Sequence, residues 1–192
     1  MKYLGWAVIF ACGAAQADGA RVGIEYEREK DNRSGISNNS ITVKPGWEFA
    51  KGSPINLIEL LIDRNGYTSA ADDGFRGRET KLFVRLRHSG GLNDRVGQYI
   101  RGGVGRSFNN QRDFNYAYVE PGLKIELSEH WEWTLAWRES DSISGTAGQR
   151  VRKLIAGPSY SFDKYNEIEL RYAKGGRDKD FGAWSIGYLR KF

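Results

Sequence analysis

The chain has 192 residues, a formal net charge of +5, 28% charged and 13% aromatic residues, and one cysteine. That length suits a single domain, and one cysteine excludes a disulfide framework or a thiolate metal cluster. The basic balance does not select nucleic acid, because Arg and Lys alternate with Glu instead of forming a basic block.

The N-terminus reads as a secretory signal. Lys2 supplies the positive charge, Leu4 to Ala14 the apolar stretch, and Ala15-Gln16-Ala17 a small-x-small cleavage site. Residues 1–17 are therefore expected to be removed, leaving 18–192 as one domain. The apolar run is shorter than the roughly 20 residues of a spanning helix. Cys12 falls inside this segment. Acylation of Cys12 after lipoprotein cleavage is the competing reading, and the bulky Phe10 and the short apolar stretch speak against it.

From Arg21 onward the pattern is period two. Val22, Ile24 and Tyr26 alternate with Gly23, Glu25 and Glu27; Ile41, Val43, Trp47 and Phe49 with Thr42, Lys44, Gly46 and Glu48. Ile58, Leu60 and Ile62 oppose Leu57, Glu59, Leu61 and Asp63; Leu82, Val84 and Leu86 oppose Lys81, Phe83, Arg85 and Arg87. A glycine-rich run sets Ile100 and Val104 against Tyr99 and Arg101. Ala117 to Leu127 follows, with Tyr116, Tyr118, Glu120, Lys124 and Glu126 on its other face. Trp131, Trp133, Leu135 and Trp137 then oppose Glu132, Thr134, Ala136 and Arg138. The eighth run places Leu154, Ala156, Pro158, Tyr160 and Phe162 on one face, and the ninth sets Ile168, Leu170 and Tyr172 against Glu167, Glu169 and Arg171. The last carries Trp184, Ile186 and Tyr188 and ends in Phe192.

The count is ten strands, several long enough for the 9–11 or so residues of a tilted membrane crossing. Connections alternate between longer stretches such as Asn65–Glu79 and tighter ones such as Ser128–His130. That alternation fits short periplasmic turns and longer external loops. A mean hydropathy of −0.60 suits a water-soluble sandwich as well as a barrel in which only every second strand residue meets lipid. The export signal, strand length and loop alternation favour the barrel. The expected fold is thus all-β, a transmembrane antiparallel up-and-down barrel in the bacterial outer membrane, with a periplasmic or secreted β-sandwich as the other reading.

The final run, Trp184 to Phe192, resembles the C-terminal strand of bacterial outer-membrane proteins, where a terminal Phe after alternating apolar residues is read by the barrel-assembly machinery. Arg190 departs from that alternation. The opening Val22-Gly23-Ile24-Glu25-Tyr26-Glu27-Arg28-Glu29 resembles the first strand of oligogalacturonate-specific porins, small monomeric channels for acidic oligosaccharides. That family has twelve strands, so the likeness makes twelve the alternative count.

Under this register the inward face carries Glu25, Glu27, Glu48, Glu59, Asp63, Glu120, Glu126, Glu132, Glu167 and Glu169 against Lys44, Lys81, Arg85, Arg87, Arg101, Lys124, Arg138, Lys153 and Arg171. Charges withdrawn from bulk water need partners, so ladders of Arg–Glu pairs are expected. These pairs either leave a narrow wet channel or fill the lumen, as side chains do in eight-stranded barrels. The candidate pore-lining cations are Arg85, Arg87, Arg101, Arg138 and Arg171, with Lys44, Lys81 and Lys124. Glu25, Glu48, Glu59, Glu120 and Glu169 are the candidate pore-lining carboxylates.

Enzymatic readings are weaker. His88 and His130 are the only histidines, and His88 and Ser89, adjacent on a strand, face opposite ways. Gly102-Gly103-Val104-Gly105 lacks the Lys-Ser/Thr of a phosphate loop, and Asp72-Asp73 has no histidine beside it. No His/Cys spacing suggests a metal, and no cofactor is expected. The sequence therefore points to a porin-like passive channel for small solutes, anions among them. A non-conducting barrel acting in adhesion or envelope structure through external loops is the alternative, and an outer-membrane lipid hydrolase or protease ranks third. The expected partners are outer-membrane lipid and lipopolysaccharide, the assembly machinery at Phe192, and the solute; nucleic acid is not among them, and a monomer is expected.

Overall fold

In the computed structural model, residues 19–32, 35–50, 53–68, 76–109, 113–143, 150–175 and 180–192 are described. The expected signal segment 1–17, with Cys12, and Asp72-Asp73 lie outside these residues.

Ten strands succeed one another: β1 (Ala20–Asp31), β2 (Ser37–Glu48), β3 (Leu57–Thr68), β4 (Arg76–Gly91), β5 (Val96–Asn109), β6 (Phe114–Glu126), β7 (Trp131–Ser142), β8 (Val151–Ser161), β9 (Asn166–Gly175) and β10 (Phe181–Lys191). Each pairs antiparallel with the next, and β10 returns to β1 to close the barrel. The strand count is ten, not the twelve of the oligogalacturonate porins. At the seam Tyr26 faces Ile186 and Arg28 faces Trp184, and the Phe192 N–H donates to the Ala20 carbonyl at 2.9 Å. Both ends of the described barrel therefore meet on one rim.

The alternation decides which side each residue takes. Ile24, Leu60, Val84, Ile100, Leu135, Leu154, Leu170 and Ile186 stand exposed on the outside, where a water-soluble sandwich would bury them. The charged phase turns inward, and Glu59 and Glu120 are each only 1% exposed. The protein is inside out with respect to water, which requires hydrocarbon around it. Exposed aromatic residues border the apolar belt at both ends. Trp47, Trp131 and Tyr188 lie toward the rim with the termini, and Tyr26, Trp137, Tyr172 and Trp184 toward the opposite rim. This is the double girdle of a transmembrane barrel.

Three turns on the terminal rim share one design. In Leu92–Arg95, Leu127–His130 and Phe162–Tyr165 the first residue's N–H donates to the carbonyl of Val96, Trp131 or Asn166. The second residue then caps the turn. Asn93 Oδ1 accepts from the Val96 N–H at 2.8 Å, Ser128 Oγ from the Trp131 N–H at 3.1 Å, and Asp163 Oδ1 from the Asn166 N–H at 2.8 Å. Short polar side chains accept such bonds readily, which fixes the hairpin register.

The connections alternate in length less strictly than the turn residues suggest. Asn65 and Glu79 are not loop residues: they are register partners within β3 and β4, with Asn65 Nδ2 donating to Glu79 Oε2 at 3.1 Å. Ser107 is a fully buried residue of β5 whose hydroxyl donates to Glu79. Polar runs here belong to strands because their inner face is itself polar. On the terminal rim, by contrast, the β2–β3 connection is long, and Asn56 ties it down by donating its N–H to the Arg87 carbonyl at 2.8 Å.

Candidate functional site: the charged lumen

The lumen is built from the inward phase of every strand, and its charges lie in tiers. Nearest the terminal rim, Glu48 at the end of β2 gathers Arg21 Nη1 at 2.5 Å, Arg87 Nη2 at 3.2 Å and Lys191 Nζ at 4.0 Å. Lys124 and Glu132 pair at 2.5 Å on the β6–β7 wall.

The next tier crosses the barrel. Glu59 on β3 faces Arg85 on β4 in register and accepts from its Nε at 2.6 Å, with Arg21 Nε 3.5 Å away on the other oxygen. Glu120 on β6 faces Arg101 on β5. It accepts from Arg138 Nε at 2.6 Å and from the Tyr99 hydroxyl at 3.0 Å, and Arg101 Nη1 lies at 3.3 Å. Arg101 also lies over the Tyr99 ring, 4.5 Å from its centroid. Lys44 binds Glu25, and Arg171 Nη2 donates to Glu169 Oε1 at 2.6 Å. Leu57, Tyr99 and Leu189 fill the gaps between these pairs and are buried.

Two glycines make room for the tier. A Cβ on Gly122 would come within 2.4 Å of Tyr99 Cζ, so the phenol lies flat over β6 and reaches Glu120. A Cβ on Gly46 would sit 2.6 Å from Glu59 Cγ. Glycine within a strand here marks the close approach of another chain segment.

Above the tier the lumen opens into a vestibule of about 390 Å³. Glu25, Glu27 and Asp63 line one side of it, and Lys81, Arg138, Lys153 and Arg171 also face it. Phe83, Tyr116 and Tyr118 form an aromatic stack in its wall, Phe83 lying 4.8 Å from Tyr118 and 5.4 Å from Tyr116 between ring centroids. Below it, among Arg21, Lys44, Leu57, Arg85, Arg101, Glu169 and Leu189, lies a small cavity of about 20 Å³. That is room for about one water molecule. Ion pairs together with Leu57, Tyr99 and Leu189 nearly close the lumen at this level.

The structure spreads the candidate residues over these tiers. Lys44, Glu59, Arg85, Arg101 and Glu120 are buried within the floor. Glu25, Lys81, Arg138 and Arg171 face the vestibule, while Glu169 lies beside the small space below. Glu48, Arg87 and Lys124 sit toward the terminal rim. Sequence reasoning missed Arg21, which bridges Glu48 and Glu59. Its phase with Gly23 and Glu25 was the available signal, masked by its place at the very start of the run. The aromatic stack was missed as well, because it depends on contacts across strands.

Both histidine rings meet backbone carbonyls. His88 Nδ1 lies 2.8 Å from the Pro54 carbonyl, and the Ser89 hydroxyl donates to Asn56 Oδ1 at 2.9 Å. His130 Nδ1 meets the Ser161 carbonyl at 3.0 Å.

No protein-family model matches the chain, and no curated protein matches it in sequence. Solved structures do match in fold. An outer membrane channel from Pseudomonas putida F1 is 9% identical, with a TM-score of 0.62 over 93% of this chain and 97% of that one. The NanC porin is 9% identical, with a TM-score of 0.52 over 88% and 100%. The translocator domain of the autotransporter NalP from Neisseria meningitidis is 12% identical, with a TM-score of 0.50 over 100% and 95%. The fold is that of a small bacterial outer-membrane β-barrel.

Proposed function

We propose that this barrel is a porin-like passage for small solutes across the outer membrane, with small anions favoured. The observation that carries the reading is the charged vestibule inside the barrel, floored by side chains instead of backbone. Around that floor Arg21, Lys44, Arg85, Arg101, Arg138 and Arg171 are paired with Glu25, Glu48, Glu59, Glu120 and Glu169. An anion entering the vestibule meets Lys81, Arg138 and Arg171 first, then Lys44, Arg85 and Arg101 at the constriction, and Arg87 and Lys124 beyond it. The carboxylates Glu25, Glu48, Glu59, Glu120 and Glu169 hold these cations in place and keep the field modest. Passage needs only rotamer changes among paired side chains, so conductance is small. Closure leaves no free strand edge to pair with a neighbour, which suits a monomer, and the run Trp184 to Phe192 is the segment offered to the assembly machinery.

The nearly complete floor favours one second reading, a non-conducting barrel whose external loops engage a partner. Planar-bilayer recording of the refolded protein separates the two. Small steps with an anion-selective reversal potential under a salt gradient are expected. Silence over a wide voltage range removes the channel and leaves the second reading standing.

A further inference from the structure

The outward faces of β1, β10 and β9 carry a feature the lumen does not explain. Toward the external rim the register sets Lys30 beside Gly182 and Gly182 beside Lys174. One outward row below, Arg28 faces Trp184 and Trp184 faces Tyr172; below that come Tyr26, Ile186 and Leu170. With strands about 4.8 Å apart, Lys30 and Lys174 stand roughly 10 Å from each other, with Gly182 between them and the Tyr172 phenol lying over that glycine. Arg28, Lys30 and Lys174 are exposed, and no ion pair among the described residues engages them. Two other cations toward the outer rim are matched: Arg106 with Asp113 at 3.3 Å, and Arg152 with Glu139 at 3.3 Å. The nearby Asp180 carboxylate is held by Asn32 Nδ2 at 3.1 Å.

We infer that this patch binds the phosphate groups of a phosphorylated glycolipid of the outer leaflet. The three rows supply, in order of depth, what such a molecule presents. Unpaired cations meet the phosphates, where charge-assisted hydrogen bonds are strongest. The tilted Tyr172–Trp184 pair, its ring centroids 4.7 Å apart, lies at the headgroup boundary that aromatic residues favour. Tyr26, anchored by its hydroxyl donating to Asn39 Oδ1 at 2.9 Å, together with Ile186 and Leu170 offers an apolar track to an acyl chain. A free phosphate ion uses only the top row, whereas an acylated one uses all three, so the lipid is the ligand. The inference requires only that the exterior face lipid, and is independent of whether the lumen conducts.

The test is native mass spectrometry of the full refolded barrel in nonionic detergent, titrated with bis-phosphorylated lipid A, its dephosphorylated form, or inorganic phosphate. Retention of the phosphorylated lipid is expected, weakened about tenfold or more in the triple variant Arg28→Ser, Lys30→Ser, Lys174→Ser. The control Arg64→Ser removes an exposed outward cation from β3 and is expected to change nothing. These substitutions touch only exposed side chains, and heat-modifiable gel mobility verifies the folded barrel. Undiminished binding by the triple variant, equal binding of the dephosphorylated lipid, an equal loss in Arg64→Ser, or retention of inorganic phosphate at the lipid's concentrations overturns the assignment.

Discussion

Glu120 shows what a charge costs and does inside this barrel. Its two oxygens serve Arg138, Arg101 and the Tyr99 hydroxyl, and it is almost wholly withdrawn from solvent. Such a pair gives little net stability compared with an apolar core, yet removing one partner strands the others. Glu120→Gln keeps the shape but leaves Arg101 and Arg138 without their carboxylate, and is expected to destabilise the barrel by about 3 kcal/mol. Urea unfolding of the variant in micelles measures this, and an unchanged midpoint refutes it. Asp163 offers a gentler case outside the membrane. Hydrogen bonds from the Asn166 side chain and from the Tyr165 and Asn166 N–H groups hold its carboxyl below the usual aspartate range. Because the folded value is lowered, the turn's contribution is complete above the unfolded pKa of about 3.9. It fades as pH falls through the lower folded value. An NMR titration of the Asp163 carboxyl should therefore give a midpoint below that of an unstructured aspartate.

At the scale of strands, the period-two pattern made every element legible because hydrocarbon and lumen select opposite chemistries on alternate residues. Tryptophans 131, 133 and 137 against Glu132, Thr134 and Arg138 admit no other register for β7. What misled was polarity. Asn65, Glu79 and Ser107 look like loop residues only when a strand is expected to be half apolar; in a lumen they pair with one another. The face assignment makes a matched prediction on β3. Leu60 is exposed on the outside, and Leu61 lines the vestibule. Leu60→Arg pushes a guanidinium into hydrocarbon and is expected to cost about 2–4 kcal/mol, while Leu61→Arg places the same group in water near Asp63 and costs less. Comparing refolding yields and unfolding midpoints of the two variants checks the face assignment: equal costs, or a greater cost at Leu61, overturn it.

The whole molecule turns on a feature no single strand encodes. Individual pairs such as Glu59–Arg85 could be foreseen from the inward phase, but closure of the floor depends on long side chains from β3 to β6 meeting around the axis with Tyr99 and Leu57 between them. That arrangement separates the cost of breaking a pair from the consequence of removing it. Arg85→Ala alone leaves Glu59 buried with only the more distant Arg21, so stability falls with little guarantee of an open path. Glu59→Ala combined with Arg85→Ala removes both charges and two long side chains together. The double variant is expected to lose less stability than the sum of its single variants, as paired groups do, while joining the vestibule to the far rim. If the floor is the constriction, single-channel conductance rises severalfold in the double variant, and anion selectivity persists because Arg101, Arg138 and Arg171 remain. A conductance equal to that of the unaltered protein places the resistance elsewhere, and a reversal toward cations assigns selectivity to Arg85 alone.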